Sequence, residues 1–257
     1  YINNIMLTKF TYIKTQIEEA IAITDLSVGY PKSPSILKNL NLTIYAQERV
    51  GVIGSNGSGK TTLFLAVCGL LSPLEGEITL FGKPVKVGQF RPEIGLVFQN
   101  PDDQLFCPKV RDDVAFGPEN MGLSAEKVEI RVEEALSLTG VPHLKERIPH
   151  QLSGGEKCMV AIASILAMRP QVILYDEPSA NLDLRSRRRL INFLKASQET
   201  LVLSSHDLEL ILEVCDRVIL LNQGQVIADG NPCEVMSNRC LMEANSLEVP
   251  HSLTHHH

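Results

Sequence analysis

An α/β fold built on a mostly parallel sheet is predicted for this 257-residue chain by three observations. A short apolar strand (Val50, Val52, Ile53) runs into the glycine-rich stretch Gly54-Ser55-Asn56-Gly57-Ser58-Gly59-Lys60-Thr61-Thr62 and on into a helix. The last third alternates apolar strands with helices, the pattern of parallel strands joined by crossovers. Between them, residues from about 105 to 165 carry helical periodicity and form a mostly helical insert.

Taken in chain order, Ile21, Ile23, Leu26, Val28 and Tyr30 alternate with polar residues, with a slip of phase near Asp25 that predicts a bulge or turn in a first strand. Pro31-Lys32-Ser33-Pro34 is a loop, and Leu40, Leu42 and Ile44 form a second strand. Thr61 to Cys68 is a helix that Gly69 ends; Glu77 to Phe81 and Ile94 to Phe98 are further strands of a β-rich opening. Ser124 to Leu138 is an amphipathic helix, because Val128, Val132, Ala135 and Leu136 share one face and Gly140 stops it. Ser153 to Met168 is the next helix. Val172 to Tyr175 (strand), Leu184 to Leu194 (helix), Leu201 to Ser204 (strand), Asp207 to Val214 (helix), then the strands Arg217 to Leu221 and Val226 to Asp229 complete the alternation. Asn231-Pro232-Cys233-Glu234 opens one more helix, with a capping Asn, Pro in the first turn and a closing Glu.

Composition narrows the class. Hydrophobic residues make up 44% and charged residues 21%, an ordinary balance for a globular protein with a real core. A net charge of −6 argues against broad nucleic-acid binding, which needs clustered basic charge. The basic run Arg185, Arg187, Arg188, Arg189 is expected to be a solvated helix face. The six cysteines have no C-x-x-C pair and no zinc spacing, so reduced thiols are expected. No apolar run approaches the ~18 residues of a membrane span, and no signal peptide is legible. His255-His256-His257 is set aside as a tag remnant, and residues 1–19 carry no usable motif.

The chemistry lies in a few short stretches. In a strand–loop–helix, G-x-x-x-x-G-K-[ST] points backbone N–H groups and a helix N-terminus at one anion; Lys60 reaches the β- and γ-phosphates and the Thr61 hydroxyl holds Mg²⁺. The apolar strand Val172-Ile173-Leu174-Tyr175 delivers Asp176, a candidate Mg²⁺ ligand through water, and Glu177, a candidate general base for the attacking water. Leu152-Ser153-Gly154-Gly155-Glu156 has the S-x-x-E spacing of a capping box at a helix start that can also face an anion.

In this combination the chain resembles the ATP-binding cassette (ABC) ATPases, over roughly residues 20 to 237, with residues 238–257 as a tail. The resemblance implies a P-loop ABC ATPase core with a mostly parallel sheet, an N-terminal antiparallel β region and an α-helical subdomain. It implies ATP and Mg²⁺ as cofactors, and cassettes paired head to tail so that Ser153, Gly154 and Gly155 contact the γ-phosphate held by the partner's loop. It further implies that Gln99 touches Mg²⁺ and senses a membrane partner, that His206 contacts the γ-phosphate, that Ser179-Ala180-Asn181-Leu182-Asp183 communicates between cassettes, and that Tyr30 stacks on adenine. Gln99, Glu177, His206 and Lys60 are then the catalytic set.

Gly95-Leu96-Val97-Phe98-Gln99-Asn100-Pro101-Asp102-Asp103-Gln104-Leu105-Phe106, Asp113 to Pro118 and Glu156 are similar to the ATPases of energy-coupling-factor importers. Within that group the single-ATPase cobalt and nickel systems are the nearest resemblance, with biotin-importer ATPases close behind. The expected partners are a second cassette (most simply the same chain), a transmembrane coupling subunit and a substrate-binding membrane subunit, at the cytoplasmic face of the bacterial inner membrane. Asp102, Asp103, Asp112 and Asp113 could receive basic segments of the membrane partner or form a solvated loop. A soluble cassette protein and a non-hydrolysing module are the rivals; the first lacks its usual insertions here, and the second would be expected to have lost Glu177 or His206. One departure stands out: Lys157 is followed by Cys158 and Met159 where the family has further basic residues.

Overall fold

The structure, a computed structural model, describes residues 18–30 and 35–254. The 31–34 loop, the tag remnant and nearly all of the 1–19 extension lie outside the described residues.

The phase slip at Asp25 is a bulge. β1 (Glu19–Val28) pairs antiparallel with β2 (Leu37–Tyr45), and the register jumps between Ile23 and Leu26. Asp25 takes φ 47° there, and its N–H donates to Asn41 Oδ1 at 2.9 Å. β3 (Arg49–Ile53) leaves for a second sheet, and α1 (Lys60–Val67) follows the glycine-rich loop. β4 (Pro73–Leu80) returns to the free edge of β1 and carries the two-residue β5 (Lys83–Pro84). The first sheet therefore has the order β2-β1-β4-β5 and is antiparallel throughout.

After β6 (Ile94–Val97) come three helices, α2 (Val110–Asn120), α3 (Ala125–Leu138) and α4 (Gly154–Leu166). The alternating part follows: β7 (Val172–Asp176), α5 (Leu184–Ala196), β8 (Thr200–Ser204), α6 (Leu208–Val214), β9 (Arg217–Asn222) and β10 (Gln225–Gly230). The short helices α7 (Pro232–Ser237) and α8 (Arg239–Ala244) close it. The second sheet runs β10-β9-β3-β8-β7-β6; every pair is parallel except β10–β9. That last pair is a hairpin whose turn residues Gln223 and Gly224 both have positive φ, the geometry a two-residue turn between right-twisted strands requires.

Alternation along the central strands fills two cores at once. Val172 and Leu174 face the cluster shared with α1 and the antiparallel sheet, whereas Ile173 and Tyr175 face the cluster shared with α4 and α5. A sheet covered on both faces needs continuous apolar runs, as the sequence of β7 has. The mostly parallel sheet, the antiparallel β region and the helices expected of the fold are all present.

Three elements depart from expectation. β4 starts at Pro73 rather than near Glu77, because its first half, Pro73 to Gly76, is solvent-facing and carries no apolar alternation. α2 was not anticipated: Gly117 and Pro118 look like a stop in sequence, yet Pro118 sits in the last turn, and Val110, Val114 and Ala115 are buried. α8 was also unforeseen. Among the described residues no helix is long and apolar enough to cross a membrane.

Candidate functional site

At the carboxyl end of β3 the chain turns back on itself. Gly54 has φ 155°, and a Cβ there would lie 2.1 Å from Leu221 O, so only glycine passes this point. Gly59 (φ 110°) is similarly pressed against Leu37 and starts α1 with no side-chain cap and no acid in the first turn. The first N–H groups of α1 thus face an open cleft of about 400 Å³. The β9–β10 turn braces the loop from behind, where Gly224 N donates to Ser58 O at 3.0 Å.

The cleft is lined by Asn56, Gly57, Ser58, Gly59, Lys60, Thr61 and Thr62 on one side and by Gln99, Glu177 and His206 on the other, with Ile36 at its margin. Lys60 is buried and folds back, its Nζ donating to Gly54 O at 2.8 Å and to Ser55 O at 3.3 Å. Burial lowers its pKa, and Glu177 and Asp176 pull in the opposite direction. Beneath the loop, Thr61 Oγ1 donates to Asp176 Oδ2 at 2.8 Å and Ser204 Oγ donates to Asp176 Oδ1 at 2.6 Å.

Glu177 has φ 48°, a left-handed conformation unusual for a glutamate and held by its N–H donating to Ser204 O and Ser204 Oγ, each at 3.1 Å. Its Oε2 accepts the His206 N–H at 2.9 Å. Its Oε1 lies 3.2 Å from His206 Nε2 but off the line of a hydrogen bond, and it is buried without an aligned donor. Ser58 Oγ is likewise buried with no partner. The Ser58 hydroxyl and the uncapped N–H groups of α1 are donors that fit a polyanion, whereas Glu177 Oε1, an acceptor, calls for a donor such as water, since such groups are costly to leave unmet. Thr61 and Asp176 present two hard oxygens in contact, the donor set for Mg²⁺, which keeps waters and takes the rest of its shell from phosphates.

Four expected residues, Ser153, Gly154, Gly155 and Tyr30, are elsewhere. Ser153 caps α4 with the full capping box, its Oγ accepting from Glu156 N while Glu156 Oε2 accepts Ser153 N at 2.8 Å. Neither it nor Gly154 and Gly155 lines the phosphate-loop cleft of its own chain. Gly154 instead borders a smaller cleft of about 190 Å³ with Asp102, Lys157, Asn181 and Gln99, which belongs to both clefts. Tyr30 is exposed and outside the main cleft.

The four acids of the expected group are not equivalent. Asp102 Oδ1 receives Lys157 Nζ at 2.6 Å, Asp112 pairs with Arg111, and Asp113 is buried, accepting the N–H groups of Phe106 and Cys107 at 2.9 and 3.0 Å. Asp102 and Asp103 are thus exposed, Asp112 is half-buried and only Asp113 is withdrawn from the surface. The departure after the signature resolves by packing: Cys158 and Met159 point into the core, and Cys158 Sγ approaches Pro178 O at 3.6 Å.

Sequence reasoning missed two features. Ser204, which holds both Asp176 and Glu177, was visible only as part of Ser204-Ser205-His206-Asp207. An aromatic cup of about 470 Å³ assembles Phe90, Phe106, Phe116, Ile165 and Met168 around Asp113, whose Oδ2 is buried without a partner. Phe106 and Phe116 meet edge to face at 5.1 Å.

The profile of the ABC transporter family matches residues 37–180. The chain is 54% identical over 241 residues to a putative ABC transporter ATP-binding protein of Synechocystis sp., covering 94% of this chain and 85% of that protein. It is 45% identical over 238 residues to the energy-coupling factor transporter ATP-binding protein EcfA of Methanothermobacter thermautotrophicus, covering 90% and 76%. Among solved structures, CbiO1 of Clostridium perfringens, described as part of the ABC transporter complex CbiONQ, superposes with a TM-score of 0.78 at 36% identity, covering 88% of this chain and 94% of that one. A phosphate cradle on a parallel sheet, a capped glycine pair set apart from it and relatives at this identity lead to one conclusion: the chain belongs to the ABC transporter family, as an ATP-binding subunit.

Proposed function

We propose that this chain hydrolyses ATP to drive an energy-coupling-factor importer of cobalt or nickel ions, as one of two cassettes at the cytoplasmic face of a bacterial inner membrane. The ATPase unit is residues 20–237, with the helical insert at about 105–165. The importer type is supported by the likeness to EcfA and to CbiO1. The observation that carries the hydrolytic reading is Glu177, in a left-handed backbone conformation, buried, lining the phosphate-loop cleft beside His206 and with one carboxylate oxygen lacking a hydrogen-bond donor.

The residues then divide the work. Asn56 to Thr62 bind the phosphates through backbone N–H groups, and Lys60 swings from Gly54 O onto them. Thr61, Asp176 and Gln99 would hold Mg²⁺, which when bound would neutralise developing phosphate charge. Glu177 takes the proton of the attacking water, and His206, fixed by its N–H on Glu177, contacts the γ-phosphate. Ser153, Gly154 and Gly155 serve the nucleotide of the second cassette, because they do not reach their own cleft. Tyr30 supplies the adenine face.

The aromatic cup is the contact for the transmembrane coupling subunit. Its exposed phenylalanines call for an apolar segment, and Asp113 Oδ2 at its wall calls for a basic side chain on that segment. Co-expression with candidate membrane subunits tests the assignment. Glu177→Gln should keep ATP affinity and lose at least ~100-fold in turnover, as removal of a general base does. Unchanged turnover would overturn the general-base role of Glu177, absence of turnover in the unaltered chain with its partners would overturn the hydrolytic reading, and co-purification with a soluble partner only would overturn the importer.

A further inference from the structure

The basic run on α5 is not a uniform wet face: one of its members grips the loop that carries His206. Arg187 Nη2 donates to Asp207 Oδ1 at 2.9 Å and its Nε donates to Oδ2, a two-pronged pair that is three-quarters buried on both sides. Asp207 follows His206 directly and also caps α6, its Oδ1 accepting Leu210 N at 3.1 Å. The backbone of His206 is thus fixed on one side by Glu177 Oε2 and on the other through Asp207.

The other end of this connection is the start of α5. Asp183 caps the helix by accepting Ser186 N at 2.8 Å, and Ser186 lies against α4 so closely that a Cβ on Gly155 would fall 2.2 Å from Ser186 Oγ. The first turn of one helix therefore touches Gly155 of α4 through Ser186 and, at the very next residue, holds the neighbour of His206 through Arg187.

We propose that Arg187 is a positioning residue for hydrolysis: through Asp207 it sets the placement of His206 and makes that placement depend on where α5 sits against Gly155. The inference rests on the reading above, that His206 acts on the γ-phosphate and that Ser153 to Gly155 serve the partner's nucleotide. Arg187 touches no substrate. It makes each cassette's histidine responsive to occupation of the neighbouring site.

Arg187→Ala, Arg187→Lys, His206→Ala and the double variant Arg187→Ala/His206→Ala are compared in single-turnover ATP hydrolysis, nucleotide binding and thermal unfolding, with His206 imidazole resonances recorded by NMR. Arg187→Ala should slow hydrolysis ~10-fold or more while ATP affinity changes less than ~2-fold, because misplacement of a reacting group costs rate rather than binding. Its His206 resonances should shift, Arg187→Lys should recover part of the rate, and the double variant should be no slower than His206→Ala alone. Unmoved His206 resonances in Arg187→Ala, or in Arg187→Lys should the alanine variant not fold, would overturn the proposal, as would losses that multiply in the double variant. Full activity of His206→Ala would instead refute the role given to His206 itself.

Discussion

Single polar atoms decide much at the site. Ser204 Oγ both donates to Asp176 and accepts from Glu177 N, so Ser204→Ala leaves a buried carboxylate oxygen and a strained backbone N–H without that bond. Unfolding in denaturant should show a loss of about 1–3 kcal/mol, the cost of unmet buried polar groups. A loss below the error of the method would mean that Ser204 is dispensable. Tyr175 tests the same principle with the opposite sign. Its hydroxyl is fully buried without a hydrogen-bond partner, so Tyr175→Phe should raise stability or leave it unchanged, by up to about 1 kcal/mol. A clear destabilisation would reveal a partner for that hydroxyl. At this scale the phosphate loop was legible in sequence because its chemistry is local: eight consecutive residues specify turn, cation and hydroxyl. Ser204, Arg187 and Asp207 were not, because what each does depends on a residue 20 or more positions away.

Elements show where local signals mislead. α2 hides behind Gly117 and Pro118, yet a helix tolerates Pro118 in its last turn once Val110, Val114 and Ala115 are buried on one face. β4 hides its first half because Leu74, Glu75 and Gly76 face solvent while their backbones still pair with the bulged end of β1. α4 was legible, since Ser153 and Glu156 form a complete capping box. That box can be separated from function: Ser153→Ala should cost about 1 kcal/mol in unfolding, and on the reading above it should also weaken ATP-dependent pairing of cassettes. Loss of stability alone would make Ser153 a cap and nothing more. The parallel sheet was likewise legible, because β7 and β8 are short uninterrupted apolar runs that only a sheet covered on both faces can bury.

At the scale of the whole molecule, two surfaces need partners: the cassette-pairing face around Ser153 to Gly155 was legible through the family resemblance, and the aromatic cup was not. The aromatic cup draws Phe90, Phe106 and Phe116 from three separate stretches, so no window of sequence contains it. Phe106→Asp should abolish co-purification with the membrane subunits while the isolated chain keeps its ATP affinity; retained co-purification would remove the cup from the interface. Charge sets the acid limit of the fold. Glu129 is held below the ordinary carboxylate range, chiefly by Lys145 and then by Arg111, and Asp207 is held low by Arg187 against the opposing effect of burial. Lowered native pKa values mean stability that is complete above the unfolded value, near ~4, and lost as pH falls through the native value. Thermal midpoints should therefore hold from neutral pH to about 5 and fall below it, and Asp207→Asn should flatten that fall. A midpoint that rose on acidification would contradict the assignment of these pairs.

The distance between the glycine pair of α4 and the phosphate-loop cleft of the same chain makes pairing of cassettes the central requirement. Analytical ultracentrifugation of Glu177→Gln, with and without ATP and Mg²⁺, measures it most directly. A monomer that becomes a dimer on adding nucleotide, and that fails to do so when Ser153→Arg is introduced, is the predicted result. A Glu177→Gln chain that binds ATP tightly and still sediments as a monomer would contradict it.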